Sequence, residues 1–202
     1  MDDSGDAPLS ADARGRLLAG LSAAIVRKGY AAATIADIVA HARVSKRTFY
    51  EHFPDKDACF LALYAAASDH LLAVIAQAVA GDGPWRARVE AAARAYLSEL
   101  AAEPALTRTF LVEIQAAGPR ALAARRAAHD RFAQQLRALT AAAADEDPEV
   151  VPLSPQMATA VAGGINELML QAVESERTHA LADLTGAATE LIVAVVTVRE
   201  AG

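Results

Sequence analysis

The sequence holds a single cysteine, Cys59, among its 202 residues. An internal disulfide and a cysteine-based structural zinc cluster are therefore excluded. With Phe60, Leu61 and Leu63 beside it, Cys59 reads as a small buried hydrophobe rather than a reactive thiol. Aromatic residues are scarce at 5%. No β-branched run is flanked by Asn-Gly or Asp-Gly, so hairpins have no support. The late apolar run from Leu191 to Val198 is far shorter than the ~20 residues of a bilayer span. The opening MDDSGDAPLSAD is acidic and has no apolar core. No signal peptide and no membrane partner are expected, and the expected location is cytoplasmic.

The motifs of several chemistries are missing as well. HExxH, GxSxG, the Walker A loop and GxGxxG do not occur, so metalloprotease, nucleophile, phosphate-loop and dinucleotide readings have no footing. Five histidines (His41, His52, His70, His129, His179) include no i, i+4 pair. Neither a metal, a cofactor nor an enzyme activity is expected. An enzyme built on Glu113 or a histidine would have no motif behind it.

What is present is alanine, the best intrinsic helix former, in a chain 54% hydrophobic and 22% charged. The expected class is a soluble all-α protein. Its net charge of -6 hides an asymmetry. Residues 13–56 carry eight basic groups against three acidic ones, a net of +5, which leaves -11 on the remainder. A basic head on an acidic body points to a polyanion partner for the head, although a solvated basic face would give the same sum.

The pattern reads as nine helices. Residues 1–10 are expected as a disordered tail, 11–56 as the basic head with three helices, and 57–202 as the helical body with six. A first helix over 11–28, with Leu17, Leu18, Leu21 and Ile25 on one stripe, closes at Gly29. Thr34 and Asp37 form a capping box for a short second helix ending near Ala42. Ser45 caps a third, Lys46 to His52, and Pro54 ends it. Asp55 caps a long fourth helix. In the body, helices are expected from Pro84 to Ala102, Pro104 to Ala116, Pro119 to Ala144, Pro155 to Ser175, and 179 to 199.

The head therefore contains two short helices joined by a tight turn, the geometry of a helix-turn-helix. Phe49 and Phe53, four apart, would hold the second helix against Ile35, Ile38 and Val44. Lys46 and Arg47 at its start are long enough to reach guanine O6 and N7 in a major groove. Thr48, Tyr50 and His52 offer donors to phosphates, and Thr34 and Lys56 lie at helix starts that attract phosphate.

The segment TIADIVAHARVSKRTFYEHFPDKDACFLALY, preceded by Gly29–Tyr30, resembles the DNA-binding region of the TetR family of bacterial transcriptional regulators. The resemblance covers about 45 residues, carried by Thr34, IADIV, VS..TFY.HF and Lys56. It implies base contacts from Lys46 and Arg47, and backbone contacts from Thr34, Ser45, Thr48, Tyr50, His52 and Lys56. It further implies a homodimer on a palindromic operator, formed through the last two helices of each subunit. It also implies a ligand-binding and dimerisation body, in which an unknown small-molecule effector moves the fourth helix and releases a repressor from double-stranded DNA. The departure is Arg43, at a turn position where the family often has glycine.

The body is read from its residues alone. Tyr96, Phe110, Glu113 and Asn166 are pocket candidates: aromatic walls with a few polar groups. Gly163 and Gly164 suggest close helix approach, and with Leu168, Leu191, Ile192 and Val195 they are assigned to a dimer seam. The competing function is an all-helical protein–protein interaction module whose basic head meets an acidic surface.

Overall fold

The computed structural model describes residues 7–116 and 118–197. Among these the chain forms nine α-helices and two 3-10 turns, with no strand. The helices are α1 (Ala7–Ala32), α2 (Ile35–Ala42), α3 (Lys46–His52), α4 (Lys56–Val79) and α5 (Trp85–Ala102). They continue with α6 (Pro104–Leu111), α7 (Pro119–Glu146), α8 (Pro155–Glu174) and α9 (Thr185–Thr197).

The expected caps act at their positions. Thr34 accepts from the Asp37 amide at 3.2 Å while Asp37 accepts from the Thr34 amide at 2.9 Å, closing the capping box. Ser45, Asp55 and Ser154 each accept from an amide three residues on. Lys28 lies 2.6 Å from Asp37, and these bonds from Lys28 and Thr34 hold the Asp37 carboxyl well below the ordinary carboxylate range.

Three boundaries differ from expectation. The first helix begins at Ala7, so residues 7–10 of the expected tail are helical and the rest of that tail lies outside the described residues. It is interrupted at Gly29, whose φ of 77° only glycine adopts without cost. The sixth helix stops at Leu111 and tightens into a 3-10 turn over Glu113–Ala116. The last helix starts at Thr185, preceded by a 3-10 turn over Thr178–Leu184 that is irregular at Ala180. The expected end at 199 lies outside the described residues.

In the head, Phe49 and Phe53 pack with Leu17, Leu21, Ile25, Ile38 and Val39, and this core continues into Cys59 and Phe60 of α4 and Ile114 and Ala121 of the body. Burial raises the Cys59 thiol to about 12, in keeping with an inert core residue. α1 and α2 meet at Gly20, where an added Cβ would stand 2.5 Å from the Ile38 carbonyl oxygen and 3.1 Å from the Ala42 Cβ. Replacing Gly20 by alanine is therefore expected to destabilise the protein by about 1–3 kcal/mol, read as a lowered urea midpoint.

The body packs α5 against α4 and α9, and α7 against α8, around an apolar interior. By length and composition alone, α4 and the stretch Thr178–Thr197 are apolar enough to cross a membrane. α4 here packs against α1, α5 and α7, and its Asp69 pairs with Arg131 of α7. Its Cys59 and Phe60 enter the core of the head, and Tyr64, Leu71 and Ile75 face the interior of the body.

Candidate nucleic-acid interface

The three-residue connection Arg43–Ser45 turns the chain between α2 and α3 because Arg43 occupies the left-handed region, φ 53° and ψ 45°, with its amide donating to Val39 O. An arginine there costs ~1–2 kcal/mol relative to the right-handed region. Glycine removes that cost but widens the unfolded ensemble. Arg43→Gly is accordingly expected to raise stability by about 0.5–1 kcal/mol, seen as a higher Tm.

The turn presents α3 with its N-terminus outward. Phe49 is 0% exposed and anchors the helix from below. On the opposite side Lys46 is exposed and makes no hydrogen bond or ion pair with the described residues. The Arg47 side chain is 90% exposed, and its Nε donates to Glu51 at 3.0 Å. Tyr50 is 57% exposed, its ring standing edge-on to that of Phe49. Thr48 is half-buried and within 2.9 Å of the Ser45 hydroxyl, while His52 is half-buried beside Phe53. Thr34 and Ser45 are exposed, with their hydroxyls engaged in capping.

Lys56 departs from a plain surface cation. Its ammonium donates to the carbonyls of Tyr30 and Ala33 at 2.9 and 3.0 Å and lies 4.3 Å from the Tyr30 ring centre. It thereby ties the start of α4 to the chain just before α2. The Tyr30 hydroxyl donates to Asp57, and burial together with that bond raises its pKa well above the ordinary phenol range. The head is thus fastened to α4 by side chains at the first turn of that helix.

Within the body lies a cavity of about 150 Å3, walled by α4, α5, α7, α8 and α9 and by the α6 segment. Three of the four residues expected in a pocket line it: Tyr96, Phe110 and Asn166. Glu113 does not, because the chain leaves the α-helix at Leu111 and carries it into the 3-10 turn. Burial, with Tyr64 nearby, raises the Tyr96 phenol above its ordinary range, so its hydroxyl remains a neutral donor. Arg125 and His129 also line the cavity and were not foreseen. Their signal in the sequence is faint: Arg126, Ala127 and Ala128 separate them, and the wall face of α7 follows from how it packs.

The residues assigned to a dimer seam divide. A Cβ on Gly164 would lie 3.3 Å from Leu191 of the same chain, and one on Gly163 4.0 Å from the His129 ring. Gly164 thus permits a tight approach of α8 to α9 within the subunit, while Gly163 has room for a side chain. Ile192 is 6% exposed and lines the cavity, so it belongs to the interior. Leu168 and Val195 remain partly exposed.

Comparison with known proteins agrees with this geometry. The model for bacterial regulatory proteins of the tetR family matches residues 17–63. The HTH-type transcriptional activator FasR of Mycolicibacterium smegmatis is 36% identical over 83 residues, which are 41% of this chain and 38% of that protein. The match thus spans well under half of the relative's length. Among solved structures, FadR of Bacillus halodurans aligns over 93% of this chain and 97% of its own, with a TM-score of 0.76 and 15% identity. FadR of Bacillus subtilis, solved in complex with stearoyl-CoA, aligns over 90% and 98%, with a TM-score of 0.75 and 14% identity. At that identity the likeness is one of fold. Helix order, the turn at Arg43, the recognition-type helix and the matched segment lead to one conclusion: residues 17–63 form a regulatory head of the tetR-family type, carried on a body that shares the fold of the two FadR structures.

Proposed function

We propose that the protein is a ligand-responsive transcriptional regulator that binds a palindromic operator as a homodimer and leaves it when a small molecule occupies the body cavity. The observation that carries this reading is that one helix, α4, belongs to both halves. Its first turn anchors the head through Lys56 and Asp57, and its next turns wall the cavity through Tyr64, Ser68 and Leu71. Phe110 of α6 also bridges the two, with its ring 5.9 Å from that of Phe60 and 5.4 Å from that of Tyr64. A ligand that displaces Tyr64 or Phe110 moves the base of the head. In a dimer whose recognition helices must sit ~34–36 Å apart, such a shift weakens binding.

In this reading Lys46 and Arg47 contact bases. Thr34, Ser45, Thr48, Tyr50 and His52 contact phosphates, and Lys56 contributes its remaining N–H and its charge. Partly exposed Leu168 and Val195, with Val151 and Met157 at 53% and 43% exposure, support a dimer surface on α8, α9 and the loop before α8. Release by ligand fits a repressor acting in the cytoplasm. Tyr96 and Asn166 supply polar contacts in the cavity, and the stearoyl-CoA bound by the Bacillus subtilis FadR supports an acyl-type effector.

Selection of bound duplexes from a random pool tests the DNA reading. A palindromic motif with half-sites one helical turn or a multiple apart is the expected outcome. Enrichment of no motif, together with tight binding to acidic proteins, would favour the interaction-module reading instead.

A further inference from the structure

The head carries eight basic side chains over residues 13–56, and all but two are engaged within the subunit. Arg27 and Lys28 pair with Asp37, and Arg47 pairs with Glu51. Lys56 donates to two backbone carbonyls, Arg14 lies over the Phe53 ring, and Arg16 is not free either. That leaves Lys46 and Arg43. Both are exposed, and neither side chain has a hydrogen bond, ion pair or ring contact among the described residues.

The chain around Arg43 offers it no counter-charge. From Ile38 to Tyr50 there is no aspartate or glutamate. The carboxylates that border this stretch, Asp37 and Glu51, already face other cations. Arg43 also holds the left-handed conformation, at φ 53°, which costs stability in a residue with a Cβ. Among the described residues no side-chain contact of Arg43 offsets that cost.

Its place in the chain decides what it reaches. Arg43 closes α2 and stands just before Ser45, the N-cap of α3. An α-helix with its side chains is ~10–12 Å across, close to the ~12 Å width of the major groove. With α3 filling the groove, the turn that leads into it lies against the groove wall, where the phosphates of one strand run. A guanidinium there presents its fork of N–H donors to phosphate oxygens.

We infer that Arg43 is a DNA-backbone contact, its guanidinium pairing with a phosphate beside the base pairs that Lys46 and Arg47 face. The inference rests on the reading of α3 as a recognition helix. It gives each head one phosphate contact that a glycine at the same turn would lack. Folding stability is exchanged for DNA affinity at this position.

Fluorescence anisotropy of the full-length protein over a series of salt concentrations tests the contact, on the duplex enriched by selection and on a scrambled duplex. In Arg43→Gln both duplexes are expected to bind about tenfold more weakly, roughly threefold for each head. The log–log salt slope becomes shallower by about 0.9 per head, or about 1.8 for the dimer. Arg43→Lys keeps the charge and with it the wild-type slope. Arg43→Gly loses the same affinity and slope while its Tm rises, which separates the lost contact from a damaged fold. Unchanged affinity and slope in Arg43→Gln would overturn the inference and leave α3 as the reading helix. Loss confined to the enriched duplex would overturn it as well, by making Arg43 a base contact. Failure of the wild type to bind either duplex would remove the recognition-helix reading, and this contact with it.

Discussion

Replacing Phe49 by alanine is expected to destabilise the protein by about 3–5 kcal/mol, the range for truncating a buried phenylalanine. The ring is wholly buried between the face of α3 and the side chains of α1 and α2, and it touches both Tyr50 and Phe53. Truncation removes its apolar contacts and leaves a cavity under a helix of only seven residues, which cannot hold itself by backbone bonds alone. Urea unfolding followed by circular dichroism reads the loss, and DNA binding should vanish with it. Phe49→Leu, which keeps most of the volume, should retain most of the stability. A Phe49→Ala protein with an unchanged midpoint would mean that α3 is held by something other than this core.

Arg47→Ala is expected to cost about 1–3 kcal/mol of operator affinity, or roughly fivefold to 150-fold, and to relax sequence preference at one base pair per half-site. The side chain extends from the start of α3 into solvent, and its pair with Glu51 is too exposed to hold it back. Removing that pair alone, by Glu51→Ala, should leave protein stability nearly unchanged. Competition binding of the variant to operator and to scrambled duplex separates two roles. Selective loss on operator marks a base contact, and equal loss on both marks a phosphate contact.

How much of this was legible beforehand depends on the range of the interaction involved. Capping is local: Thr34 with Asp37, Ser45, Asp55 and Ser154 are each satisfied within three residues, so the spacing alone located the helix starts. Arg43 stood out only through the resemblance, as a departure from the family's usual glycine, and the structure places it in the left-handed region. Gly20 was not, since the Ile38 carbonyl that requires it lies on another helix and nothing at positions 19–21 signals it. The body helices are rich in alanine, which suits either face, so periodicity could not say which side of α7 meets the cavity. Arg125 and His129 were therefore not read as cavity residues, while Glu113 was chosen from an α-helix that stops at Leu111. Of the paired glycines, Gly164 closely approaches Leu191 within the subunit, a contact between α8 and α9 that spacing along one helix does not specify. Apolar residues on most sides of α9 likewise serve an interior cavity as well as any outer surface.

The measurement that tests the account most directly is the salt dependence of binding to double-stranded DNA, followed by fluorescence anisotropy. A dimer that sets two basic heads on phosphates releases counterions, with a log–log slope near -0.9 for each phosphate contacted. With several such contacts per head, the predicted slope is at least about -4, and operator should bind tighter than random duplex by about 10³-fold or more. A slope near zero, or no binding to any duplex at low salt, would contradict the assignment of α3 as a DNA-reading helix.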